Sequence, residues 1–199
     1  RVIFLDNTAI APNESAVDYA GAGRKRSLGR YSDTGIFGRD ISKARVLEET
    51  VEKFVASVLA SPGRRIAHGT PESGKCEKRW DVLFSVEENG VKKNFAVEVK
   101  DDDKSFETGN MAVEIACRGV PSGILSTRSN IHVFRVPAAD GVTPALLFLD
   151  TKKLRAAVLC GGASGEFKRR LSKRDPERQA VNILVPLERA RKLAFAEFP

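Results

Sequence analysis

The sequence predicts an α/β domain, and three patterns carry that prediction. A helical repeat of apolar residues starts at Ser42, two alternating runs flank Asn89-Gly90, and further short apolar strands from residue 111 onward are interleaved with helical stretches. At 199 residues and 42% hydrophobic content the chain can bury one core and carry an appended arm. Its longest apolar runs, such as 145–149 and 183–185, fall far short of the ~20 residues of a bilayer-spanning helix, so no membrane association is expected.

Residues 1–40 are rich in Gly, Ser, Asn and Arg and show neither helical nor strand period, so they are expected to form an irregular basic arm ahead of one domain at 41–199. Arg24, Lys25 and Arg26 in that arm either touch phosphates or belong to a loosely packed leader. The opening RVIFL, starting on Arg1, lacks a secretory cleavage pattern and reads as a processed or trimmed terminus with nothing directing export.

From Ser42 onward, Leu47, Val51, Phe54, Val55, Val58 and Leu59 recur at helical spacing until Ser61-Pro62-Gly63 stop the run, which gives an amphipathic helix of roughly five turns. Glu48 and Glu52 lie one turn apart at the edge of its apolar stripe, either solvated or facing a partner. The GxxxxGK spacing from Gly69 to Lys75 imitates a phosphate-binding loop. SPGRRIAH precedes it in place of a buried strand, and Cys76 stands where a hydroxyl would hold magnesium, so an ATPase is set aside.

In RWDVLFSVEENGVKKNFAVEVK, Asn89-Gly90 is the dipeptide of a two-residue hairpin turn. With that turn, Glu88 faces Val91 and Asp81 faces Glu98, their Cβ atoms about 5 Å apart, and the period of two brings Lys100 to the same face. Val82, Phe84, Val86, Phe95, Val97 and Val99 form the opposite, apolar face, which fixes the register. The aspartates at 101–103 invite a metal reading, but past the strand end such residues are loop or helix-capping groups, and the cap is the expectation here.

Downstream, residues 111–117 alternate as a strand with Glu114 facing away from Met111, Val113 and Ile115. Pro121-Ser122-Gly123 is a turn into a short helix, 131–136 a strand with His132 as a satisfied structural histidine, and 145–150 another strand. A short helix at 151–160, a basic loop containing Lys168, Arg169 and Arg170, a closing strand, a proline break and a terminal helix complete the chain.

Two directly opposed carboxylates repel unless a cation sits between them, so Asp81 and Glu98 read as metal ligands. Cys76, Cys117 and Cys160 are too widely spaced for a disulfide framework or a metal knuckle, which points to a reducing compartment, and His68 and His132 make no zinc set. Any metal needs oxygen ligands. Asp81, Glu98 and the carbonyl of Val99 suit Mg²⁺ or Mn²⁺, and an ammonium at Lys100 can orient the attacking water or stabilise charge in phosphodiester hydrolysis. The net charge of +7, gathered in clusters, fits a polyanionic partner or a solvated basic face.

Asp81, followed across a hairpin by Glu98-Val99-Lys100, resembles the D…ExK core of the PD-(D/E)XK nuclease superfamily over residues 42–136. Trp80 stands where the motif's proline would be. The resemblance implies a restriction-endonuclease-like fold, a central mixed β-sheet flanked by helices, preceded by a helix whose glutamate, here Glu48 or Glu52, joins the site. It implies a Mg²⁺- or Mn²⁺-dependent deoxyribonuclease, an endonuclease acting on DNA, cytoplasmic or nucleoid- or phage-associated, with a homodimer suited to cutting both strands. The TGN…E and SGI…T segments are similar to phage-type and resolvase-like members. By position Glu114 joins the acidic site or its second layer, and Thr127, also a second-layer candidate, holds a phosphate with Arg128, or else each is a paired polar residue beside the sheet. The rival expectation is a non-catalytic nucleic-acid-binding module that retains the fold.

Overall fold

A computed structural model of the protein describes residues 36–60, 64–69, 80–172 and 179–199. Helix α1 (Ile36–Leu59) is followed by strands β1 (Arg64–Gly69), β2 (Val82–Glu88) and β3 (Val91–Asp101), then by a single helical turn α2 (Ser105–Thr108). Strands β4 (Asn110–Cys117) and β5 (Val120–Pro121) and a 3-10 turn (Gly123–Leu125) lead to β6 (Ile131–Pro137), β7 (Pro144–Asp150) and α3 (Thr151–Ser164). The chain closes with β8 (Lys168–Leu171), β9 (Ala180–Pro186), α4 (Leu187–Leu193) and β10 (Ala196–Phe198).

The strands form two sheets. The first has the order β1-β2-β3-β6-β7-β10 and is mixed, because β3 and β6 run parallel while its other neighbours are antiparallel. The second, β5-β4-β9-β8, is antiparallel throughout. A mixed α/β architecture is therefore what the sequence pattern led one to expect.

Strand alternation divides the core in two. On one face of the first sheet, Val82, Phe84, Val97, Val99 and Val133 pack against Leu47 and Val51 of α1. On the other, Phe134, Val136, Leu147 and Leu149 meet Met111, Val113, Ile183 and Val185 of the second sheet, with Leu154 and Val158 of α3. Each such side chain, fully buried, contributes about 1.5–3 kcal/mol relative to exposure. Among the described residues, no helix is long and apolar enough to cross a membrane.

Several elements differ from the sequence-based expectation. Helix α1 begins at Ile36, so residues 36–40 of the expected irregular arm are helical; Gly38 interrupts the apolar period there. Strand β1 went unread because it is an edge strand that opens on Arg64-Arg65, and charge on an open edge erases the apolar alternation. The expected basic loop at 168–171 is strand β8, again an edge and exposed at all four positions. Helix α3 continues through Gly161-Gly162 to Ser164, and α4 is followed by the short strand β10 instead of ending the chain.

Of the aspartates at 101–103 only Asp102 bears on α2, its carboxylate accepting the N–H of Ser105, the first residue of that turn; Lys104, the residue before it, makes no side-chain cap. Asp101 and Asp103 both accept hydrogen bonds from the Arg135 guanidinium, at 2.6 and 2.8 Å. Asp102 turns inward, where its Oδ2 accepts the Ala112 N–H at 2.7 Å and ties the end of β3 to β4. Burial raises the Asp102 carboxyl above its ordinary pKa, opposed by the Ala112 and Ser105 N–H groups.

Asp102→Ala strands the part-buried Ala112 N–H and is expected to cost about 1–3 kcal/mol, whereas Asp102→Asn, which keeps an acceptor, costs less; urea midpoints of the two variants check the order. Gly161→Ala would gain about 1 kcal/mol in an exposed helix. A Cβ there collides with the Phe167 ring, so the sign reverses and a loss of about 1–3 kcal/mol is expected in the same measurement.

Candidate active site

The pairing of β2 with β3 runs from Val82↔Val97 to Glu88↔Val91, the register expected from the turn. Asn89 and Gly90 have φ of 53° and 75°, the two left-handed residues that a type I′ hairpin requires. Asp81 lies one residue before β2. Its N–H donates to the Val97 carbonyl at 2.8 Å, and its Oδ2 accepts the Val99 N–H at 2.7 Å, so the carboxylate is pinned where the ladder ends.

Glu98 and Lys100 project from β3 on the face away from α1, since Val97 and Val99 fill the α1 side. The Lys100 ammonium donates to Glu98 Oε1 at 2.5 Å, with 15% of the Glu98 side chain exposed and 44% of that of Lys100. The Thr127 hydroxyl reaches Glu98 Oε2 at 3.5 Å. Asp81, Glu98, Lys100 and Thr127 are thus brought together.

The main chain of Val99 adds a further oxygen. Ala96 exchanges hydrogen bonds with Asn130 on the β6 side, so by alternation the carbonyls of Val97 and Val99 face the β2 side. Strand β2 starts at Val82, opposite Val97, and the Val99 carbonyl therefore lies beyond the ladder, next to Asp81. Two carboxylates and a carbonyl are hard oxygen donors of the kind Mg²⁺ or Mn²⁺ takes. Among the described residues no three His, Cys, Asp or Glu side chains cluster to hold a metal. Mg²⁺ keeps several waters and is commonly held by one or two carboxylates, so the donor set fits it without a third.

Burial alone would lower the Lys100 pKa, but the charges of Glu98, then Asp81, and more weakly Glu114, outweigh it and raise the value above that of an ordinary lysine. The group is an ammonium throughout the neutral range. Glu114 accepts a 2.6 Å hydrogen bond from the Ser122 hydroxyl and sits beside a β-bulge, where Ile115 has no partner in β9. At Gly123, φ is +52° and an added Cβ would stand 2.8 Å from the Glu114 Cβ, so only glycine lets the 3-10 turn close over this strand.

Behind the site runs a polar chain that the sequence did not reveal. Thr127 Oγ1 lies 3.1 Å from Ser129 Oγ, and His132 Nδ1 lies 3.3 Å from Ser129 Oγ and 2.9 Å from Thr151 Oγ1. Arg155 of α3 donates to the carbonyls of Ile124 and Thr127, at 2.8 and 3.3 Å, and so holds the turn that presents Thr127. Burial, then the charges of Lys100 and Arg155, lowers the His132 pKa to about 3. His132 is thus a satisfied structural histidine. It pairs with Glu98 across β3 and β6, a parallel register that leaves no local sequence signal.

Glu48 and Glu52 are half-buried on α1, which packs on the opposite face of the first sheet, and the charges that raise Lys100 come from Glu98, Asp81 and Glu114. Arg128 is exposed beside Thr127. Lys168, Arg169 and Arg170 lie exposed on β8, whereas Arg24, Lys25 and Arg26, like Cys76 and residues 70–75 of the phosphate-loop imitation, fall outside the described residues. Cys117 and Cys160 are free thiols.

No protein-family model and no curated protein matches the chain. Among solved structures it is similar to D212, a nuclease from a fusselovirus, at 10% identity over 82% of this chain and 94% of that one, with a TM-score of 0.35.

The neutral state of His132 has a consequence for acid stability. Below its ordinary pKa of 6.5 the unfolded chain binds a proton that the folded protein refuses until about pH 3, so stability falls as pH falls from about 6.5. Unfolding free energies between pH 7.5 and 5 should lose up to about 1.4 kcal/mol per unit below pH 6.5 from this group, and His132→Gln should flatten that slope.

Proposed function

We propose that this protein is a metal-dependent endonuclease of the PD-(D/E)XK superfamily, restriction-endonuclease-like in fold, that hydrolyses DNA phosphodiester bonds. The observation that supports this most directly is the meeting of Asp81, Glu98 and Lys100 at the end of the β2–β3 ladder, with the Val99 carbonyl beyond it. A mixed sheet carrying the site agrees with the resemblance seen in the sequence, whereas Glu48 and Glu52 ride on the helix packed against the other face of that sheet.

Asp81, Glu98 and the Val99 carbonyl would hold Mg²⁺ or Mn²⁺. Bound there, the ion supplies Lewis acidity against the scissile phosphate. Lys100, kept protonated by Glu98, Asp81 and Glu114, orients the attacking water and meets the negative charge that builds on the phosphoryl oxygens. The Thr127 hydroxyl lies within reach of the second oxygen of Glu98, and Glu114 is the auxiliary carboxylate in preference to Glu48 or Glu52, because those two ride on α1 against the other face of the first sheet. Exposed Arg128, Lys168, Arg169 and Arg170 are available to phosphates.

A second reading, a nucleic-acid-binding module without catalysis, is favoured by one feature. Both carboxylates already have protein partners, Asp81 in the Val99 N–H and Glu98 in Lys100 and Thr127, as in a purely structural ion pair.

Cleavage of plasmid, linear, single-stranded and four-way-junction DNA with Mg²⁺, Mn²⁺ or EDTA separates the two. The nuclease reading expects metal-dependent cutting that Asp81→Ala abolishes and that Lys100→Ala lowers at least about 10²-fold with DNA binding retained. Full activity in Lys100→Ala would falsify the mechanism, and binding without cutting of any substrate would establish the module.

A further inference from the structure

The second sheet lays a row of paired residues across its three longer strands. Glu114 on β4 pairs with Asn182 on β9, and Asn182 pairs with Arg170 on β8. Ala112, Leu184 and Lys168 form the adjacent row. Directly paired residues project to one face, so both rows share the side opposite the buried Met111, Val113, Ile183 and Val185. One end of this face is Glu114, whose charge is felt by Lys100; the other end, two strand spacings or about 10 Å away, carries Lys168 and Arg170. Those two cations stand about 7 Å apart along β8, close to the separation of neighbouring phosphates on a DNA strand. Arg169, between them, pairs with Ile183 and leaves by the other face.

From this geometry we infer that the face of the second sheet carrying Glu114, Asn182, Lys168 and Arg170 is a track for a DNA strand, along which phosphates are held by Lys168 and Arg170. The inference rests on the nucleic-acid reading of the site, and charge complementarity selects the occupant: half-buried Ala112, Asn182 and Leu184 make a low floor, and the exposed cations at its rim suit a polyanion. Basic residues on an edge strand also discourage edge-to-edge pairing, a role that does not depend on which face each one occupies. Alternation along β8 distinguishes the two roles.

The test measures binding of the full chain to a fluorescein-labelled DNA duplex and to its separate strands, in EDTA so that nothing is cut, over a series of salt concentrations. Lys168→Gln with Arg170→Gln is expected to weaken binding and to reduce the log–log salt slope by about 0.9 per lost contact on duplex and about 0.7 on single strands, so by nearly two units on duplex, with an unchanged melting temperature. Arg169→Gln is expected to change the slope less than either single substitution on the track face. An unchanged slope in the double variant, or equal losses at all three positions, would overturn the track. Because binding is read without metal, the outcome is independent of whether the parent cuts DNA: loss of slope with no cleavage leaves the track standing and removes the nuclease, and cleavage with no loss of slope does the reverse.

Discussion

A one-residue slip between β2 and β3 would turn Val82, Phe84 and Val86 out from beneath α1 and drive Leu83 and Ser85 into their place. The register that prevents this also sets Asp81 against Val97 and Val99. Packing on one face of the strand pair and chemistry on the other are thus a single constraint. The apolar side supplies the energy, several fully buried side chains at about 1.5–3 kcal/mol each, and the polar side inherits the placement. The Asp81 carboxylate then extends the ladder by one bond in place of main chain, which keeps it fixed before any ligand arrives.

Around Lys100 the balance of charge is uneven. Three carboxylates act on one ammonium, while the nearest imidazole, buried against Ser129 and Thr151, stays neutral. A charged His132 would sit close to Lys100 and Arg155, and burial makes that state costlier still. The polar chain from Thr127 to Thr151 satisfies groups that the core would otherwise leave stranded, and Arg155 secures the turn above them from a different helix. Orientation of Glu98 therefore depends on residues from β6, α3 and the 3-10 turn, none of which bears on the site through sequence proximity.

What could be read from sequence follows from how local each signal is. The hairpin, its register and the set Asp81, Glu98 and Lys100 were legible because a two-residue turn and a period of two fix them within about twenty residues. Glu114 and Thr127 could be named but not placed, since their positions depend on a bulge and on the close approach permitted by Gly123. Strands β1 and β8 were missed for a shared physical reason: both are edges whose exposed or charged residues carry no apolar alternation. The capping role expected for the aspartates at 101–103 holds for Asp102 alone, toward Ser105, because Arg135, more than thirty residues away in sequence, draws the other two aside.

The crossover between the parallel strands β3 and β6 contains α2, β4, β5 and the 3-10 turn, so Glu98 and Thr127 are joined by a closed loop with a sequence separation of 29. Closing such a loop grows dearer only slowly with length, about 0.6 kcal/mol for each doubling. The exposed turn at Arg118-Gly119 could accordingly accept inserted residues with little thermodynamic penalty, while Glu98 and Lys100 stay anchored in the first sheet. Variation in length at that turn would alter the surroundings of Glu114 and leave the β2–β3 pair untouched, which suits the turn, though not the buried strand before it, to divergence.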